Sequence, residues 1–175
     1  MSTLTLRPNA AGDETSITYQ WPNSTYHWDK VDEVTPDNDT YVFVEASSYK
    51  RDLYSLPDHT TESGTINSIK IYFRCHSDDV THCRAKPSLK SDSTVTDGTE
   101  ITPTQGVWTT YSETWTTNPA DSAAWEWADI DALQIGVSLY GYADDGKGSF
   151  CTQVYVVVDY TMGFAPYYYL NANRS

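Results

Sequence analysis

At 175 residues with 39% hydrophobic and 14% aromatic side chains, the chain is long and apolar enough for one domain with a real core, and short for two. Its net charge of −13, from 24 acidic against 11 scattered basic residues, excludes a phosphate-binding stripe and with it nucleic acid as a direct partner. No run approaches the ~20 apolar residues of a membrane helix, and the opening MSTLTLRPNAAGDE lacks the basic and apolar regions of a signal peptide. We therefore expect a protein made in the cytoplasm, with no membrane partner.

Strand signals recur in chain order over Thr3–Arg7, Ser16–Gln20, Tyr26–Glu33, Thr40–Ser47, Lys50–Leu56, Ile66–His76, His82–Ser91, Val107–Thr116, Leu133–Tyr140 and Phe150–Thr161. Alternation puts Ile69, Ile71, Phe73 and Cys75 on one face, opposite Lys70, Tyr72 and Arg74. It does the same for Leu133, Ile135, Val137 and Leu139 against Gln134, Gly136 and Ser138. In the last strand it sets Phe150, Val154, Val156 and Val158 against Gln153, Tyr155 and Asp159. The first set of each is expected in the core. Turns are marked by Pro22-Asn23, Pro36 to Asp39, Asp97-Gly98, Asn118-Pro119 and Asp144 to Gly148, the last closing a hairpin. Trp127–Leu133 reads as one helical turn capped by Asp121 or Ser122. The expected fold is all-β, an antiparallel two-sheet β-sandwich with one short helical turn, occupying residues 1–161.

Residues 162–175 break the pattern. Phe164, Tyr167, Tyr168, Tyr169 and Leu170 gather there without alternation, as an arm that packs on a neighbouring subunit or a tail folded back over its own sandwich.

Few constellations carry chemistry. Cys75, His76, His82 and Cys83 have a zinc-like composition, but alternation sends the thiols inward and the imidazoles outward, so no metal is assigned. The odd count of Cys75, Cys83 and Cys151 argues for buried, reduced thiols, with a Cys75–Cys83 cross-strand disulfide as the alternative. Carboxylates at Asp29/Asp32/Glu33, Asp37/Asp39 and Asp144/Asp145 would suit calcium, and loop composition explains them as well. Glu126 and Asp129 lack the paired geometry of a glycosidase. His27, His59, His76 and His82 sit in no nucleophile context, and there is no phosphate loop. No enzyme and no cofactor is expected. Tyr111 and Trp115 share a strand face on which a sugar ring could stack, while the remaining tryptophans are assigned mainly to the core. Three glycosylation sequons are left unassigned.

One stretch carries a resemblance. WTTYSETWTTNP (108–119), WADIDALQIGV (127–137) and CTQVYVVVDY (151–160) succeed one another in an order that resembles a jelly-roll-like domain of tailed-virus structural proteins and of uncharacterised microbial surface proteins. The resemblance implies a non-enzymatic virion protein, a capsid decoration, head-fibre or tail-associated module at the virion surface. Its partners would be its own copies and other virion proteins such as the major capsid protein, met through Phe164, Tyr167, Tyr168, Tyr169 and Leu170. The alternative is a carbohydrate-binding module that meets a surface glycan through Tyr111 and Trp115.

Overall fold

Two antiparallel sheets face one another in the computed structural model, which describes residues 1–163. Eleven strands build them: β1 (Ser2–Leu6), β2 (Ala10–Thr15), β3 (Tyr19–Trp21), β4 (Tyr41–Val44), β5 (Lys50–Ser55), β6 (Thr65–Ser77), β7 (Arg84–Ser91), β8 (Thr94–Asp97), β9 (Thr109–Trp115), β10 (Gln134–Tyr140) and β11 (Ser149–Thr161). One sheet has the order β3-β4-β11-β6-β9, with β1 also paired to β11; the other has the order β2-β5-β10-β7-β8. This is the antiparallel two-sheet sandwich that the alternation predicts, in the jelly-roll-like form that the resemblance implies.

The inner faces are the predicted ones. Ile69, Ile71, Phe73, Leu133, Ile135, Val137, Val154, Val156 and Val158 are all buried, joined by Tyr54, Leu89 and Trp125. β11 is the spine of the first sheet: β6 pairs with it from Ser149 to Thr161, while β4 and β1 share its other edge. Between those two, the amide of Val154 donates to the carbonyl of Val31 at 2.8 Å.

That bond explains one correction. Tyr26–Glu33 is not a strand; its only regular part is a 3-10 turn at Trp28–Lys30, whose exit plugs the gap in β11's edge and buries Val31. β2 and β8 form without the apolar alternation that would have revealed them, as short strands at the edges of their sheet. The helix α1 (Trp127–Ala132) starts at Glu126, whose amide donates to the Asp129 carboxylate at 2.8 Å. Asp121 and Ser122 instead shape the preceding turn, where Asp121 accepts from the amide of Ala123. The Asp144 to Gly148 reversal is locally hairpin-like, with Tyr142 bridged to Lys147, but it carries the chain from one sheet to the other.

Phe150 is the most informative departure. A register shift between Cys151 and Gln153 inserts one residue, and because the side-chain period is two, the residues on either side of the bulge are out of phase with one another. Cys151 is therefore buried and Phe150 stands half-exposed on the outer face.

Candidate functional site

The outer face of the first sheet carries a row of rings, one on each of four adjacent strands. Tyr19 on β3 lies opposite Phe43 on β4, Phe43 opposite Phe150 on β11, and Phe150 opposite His76 on β6. Each pair stacks: Tyr19 on Phe43 at 5.0 Å and 25°, Phe43 on Phe150 at 5.1 Å and 14°, Phe150 on His76 at 4.4 Å and 4°. Tyr41 sets its edge against Phe43 and Phe150, and Trp108 meets Tyr41 and the His76 edge. Desolvation holds His76 below the usual imidazole range, which favours the neutral ring that stacks as an aromatic plate.

Local sequence builds the row. In β4 the run Tyr41-Val42-Phe43-Val44 buries both valines and turns both rings outward; in β3 Tyr19 and Trp21 flank Gln20 in the same way, at 45% and 56% exposed. The bulge in β11 adds Phe150.

At the free edge, beside β3, the row opens into a hollow of about 340 Å³ lined by Thr18, Tyr19, Gln20, Trp21, Asn23, His27, Tyr41 and Phe43. Its polar groups are positioned rather than loose. Gln20 Nε2 donates to the carbonyl of Ser24 at 2.6 Å, while Gln20 Oε1 is buried with no hydrogen-bond partner among the described residues. His27 Nδ1 is 2.6 Å from Oδ2 of the wholly buried Asp52, whose Oδ1 accepts the amide of Ile17 at 2.9 Å. Aromatic walls with a few fixed polar groups are what a small polar ligand with apolar C–H faces requires.

A second hollow of about 290 Å³, on the other sheet, is lined by Tyr49, Thr81, His82, Arg84, Glu100 and Tyr140. Its polar groups are already engaged: Tyr49 donates to Glu100, Arg84 donates to the carbonyls of Cys83 and Thr81, and His82 bonds Asp79 and stacks on Tyr142.

The residues singled out from sequence are scattered over the sandwich. Tyr111 and Trp115 do share a face, but it is the inner one, where both are half-buried against the core. Tyr111 packs on Phe73, its hydroxyl accepts the amide of Thr104, and the Trp115 carbonyl accepts from Trp125 Nε1. Cys75 and Cys83 are buried, while His76 and His82 face out. Among the described residues no cluster of three or more His, Cys, Asp or Glu is placed to hold a metal. All three thiols are free. Cys75 lies opposite Cys151, not Cys83, whose Sγ is instead 3.2 Å from the carbonyl of Gly148. Burial pushes the Cys75 and Cys83 thiols up. Asp37 closes its own turn by accepting from Asp39 and Thr40. Phe164, Tyr167, Tyr168, Tyr169 and Leu170 lie outside the described residues.

The ring row escaped the sequence reading because its members are spread from Tyr19 to Phe150. The available signal was the outward aromatic phase of Tyr19/Trp21 and Tyr41/Phe43.

No family model and no curated protein matches the chain. Solved structures do resemble it. One is a module described as CBM35 from Cellvibrio japonicus Abf62, with 11% identity and a TM-score of 0.47 over 94% of this chain and 99% of that one. A second is the carbohydrate-binding module CBM6cm-2 from Cellvibrio mixtus lichenase 5A in complex with cellotriose, with 13% identity and a TM-score of 0.42 over 90% and 98%. A third is a family 11 carbohydrate-binding module from Clostridium thermocellum in complex with a β-1,3-1,4-mixed-linked tetrasaccharide, with 21% identity and a TM-score of 0.38 over 75% and 82%. Nothing in the comparisons links the chain to tailed-virus proteins. At this level of similarity, function has to be argued from the chain's own residues.

Proposed function

We propose that this protein binds carbohydrate without altering it, at the hollow beside β3 and along the ring row that leads from it. The observation that carries the reading is the junction of stacked rings with an unpartnered, buried Gln20 Oε1. A sugar offers C–H faces to Trp21 and to the face of Tyr19 turned away from Phe43, and a hydroxyl proton to Gln20 Oε1, while Tyr41 and the doubly stacked Phe43 wall the hollow. His27, fixed from behind by Asp52, and Asn23 supply further polar contacts. The work done is burial of ring faces and completion of hydrogen bonds, not bond chemistry. This reading replaces virion assembly as the preferred one, since the arm on which assembly rested is outside the described residues and no comparison supports it.

Affinity electrophoresis and calorimetry against a panel of soluble polysaccharides test it. At least one polymer should retard the protein, and Trp21→Ala should weaken that binding roughly thirtyfold, the loss of one aromatic anchor at about 2 kcal/mol. Because Trp21 is 56% exposed, the melting midpoint should stay near that of the parent. No retardation by any polymer, or full binding by the Trp21→Ala chain, would refute the reading.

A further inference from the structure

Resting on that reading, we infer that the glycan is acidic, and that Arg7, Lys70 and Arg74 receive its carboxylates on the same face as the ring row. β6 presents Lys70, Tyr72, Arg74 and His76 outward at successive alternate positions, half-exposed, so the cations continue directly from the last ring of the row. From His76 to Lys70 is six residues, or about 20 Å of strand.

The centre of this stretch is a rigid mount. Tyr72 and Tyr155, opposite one another on β6 and β11, stack at 4.8 Å and 6°. Arg7 Cζ lies 4.6 Å over the Tyr155 ring and Lys70 Nζ lies 5.1 Å over Tyr72. The ring faces are thus taken by cations, which are held in place by the quadrupoles beneath them. Desolvation raises the Tyr155 phenol above its ordinary value, so its hydroxyl stays a donor.

Cation pairing differs along the chain. On the opposite sheet, Arg51 bonds Glu14 and Asp97, Arg84 pairs with Glu100, and Lys90 pairs with Asp13, while Lys86 lies 4.2 Å over Tyr49 and, like Lys50, forms no ion pair among the described residues. On the ring-row sheet Arg7 donates Nη1 to the carbonyl of Glu33, and Arg74 donates Nε to Asn38 and Nη1 to Thr110. Neither these two nor Lys70 forms an ion pair among the described residues. Asp32 lies within the field of Arg7 without bonding to it. In a chain with 24 acidic and 11 basic residues, three cations on one face are without carboxylate partners among the described residues. Among the described residues neither guanidinium group bonds through Nη2, and a planar fork suits a carboxylate better than a point charge does. The net negative charge of the chain does not forbid this. At physiological ionic strength the screening length is about 8 Å, so remote carboxylates are damped while cations in contact are not.

Polygalacturonate and alginate, each compared with its own esterified form, isolate charge from backbone. Calorimetry of the full chain should show at least one acid form bound about tenfold more tightly than its ester, at roughly twofold for each of the three exposed cations. Arg7→Gln/Lys70→Gln/Arg74→Gln should lose that preference and keep its affinity for the ester. The double variant Arg7→Gln/Lys70→Gln, which leaves the Asn38 contact intact, should lose about two thirds of it on a logarithmic scale. Equal binding of acid and ester, a preference that survives neutralisation, or binding confined to neutral glucans and galactans would overturn the inference and leave the carbohydrate reading standing. Binding of no polymer at all would overturn both.

Discussion

Asp52→Ala should destabilise the sandwich by about 3–5 kcal/mol, through loss of a buried acceptor and the stranding of the groups bonded to it. The Asp52 side chain is wholly buried on the inner side of β5, accepts the amide of Ile17 at 2.9 Å, meets His27 Nδ1 at 2.6 Å and is more distantly approached by the Tyr54 hydroxyl at 3.4 Å. Alanine removes a hydrogen bond to a charged acceptor, about 1.5–3 kcal/mol, and strands the Ile17 amide in a buried position for about 1–3 kcal/mol more. For a domain of this size, roughly 2–4 °C per kcal/mol translates the loss into a midpoint lower by about 10 °C. Urea titration should show a lower transition concentration at unchanged slope. Asp52→Asn keeps an acceptor for Ile17 and should lose about half as much. It also loosens His27, so it should weaken glycan binding while the fold persists. An Asp52→Ala chain within about 1 kcal/mol of the parent would refute the claim that this carboxylate ties the β3 region to β5.

Two further outcomes rest on the geometry. Gly136→Ala should lower the melting midpoint sharply, because a Cβ there would sit 1.8 Å from the carbonyl oxygen of Asp52, and overpacking against backbone costs about 1–3 kcal/mol or more; a circular-dichroism melt equal to the parent's would contradict it. The His59 ring, 2.6 Å from Asp131, is the main cause that lowers the Asp131 pKa. A carboxyl made more acidic by folding contributes above its unfolded value near ~3.9 and loses that contribution as pH falls through the folded value. Asp131→Asn should therefore be less stable than the parent at pH 7, and the difference should shrink as pH falls below the unfolded carboxylate value, by chemical denaturation.

The sandwich was legible where one face of a strand is apolar and the other is not. β6, β10 and most of β11 declare themselves because Ile69, Ile71, Ile135, Val137, Val154 and Val156 recur at period two. β2 offers only Ala-Ala-Gly-Asp-Glu-Thr, with nothing to alternate. Tyr26–Glu33 mimics a strand because Trp28 and Val31, which pack on the core from a 3-10 turn and its exit, are interspersed with polar residues. The site was harder to read than the fold. A bulge leaves no compositional mark, so Phe150 was assigned to the core. The rings converge only through strand order, and the cations on β6 look like any solvated face until Lys70 is seen over the Tyr72 ring in three dimensions.

β11 is bonded along both edges, by β6 on one side and by β4, the Val31 carbonyl and β1 on the other. Amides in such a strand exchange with solvent only through openings close in free energy to global unfolding. Phe150 and Tyr155 are therefore carried by one of the least yielding segments of the chain. A glycan bound as proposed would find its platform already assembled, with little of its interaction energy diverted into ordering the receptor. The same continuity ties recognition to folding. The surface persists until the strand itself comes apart.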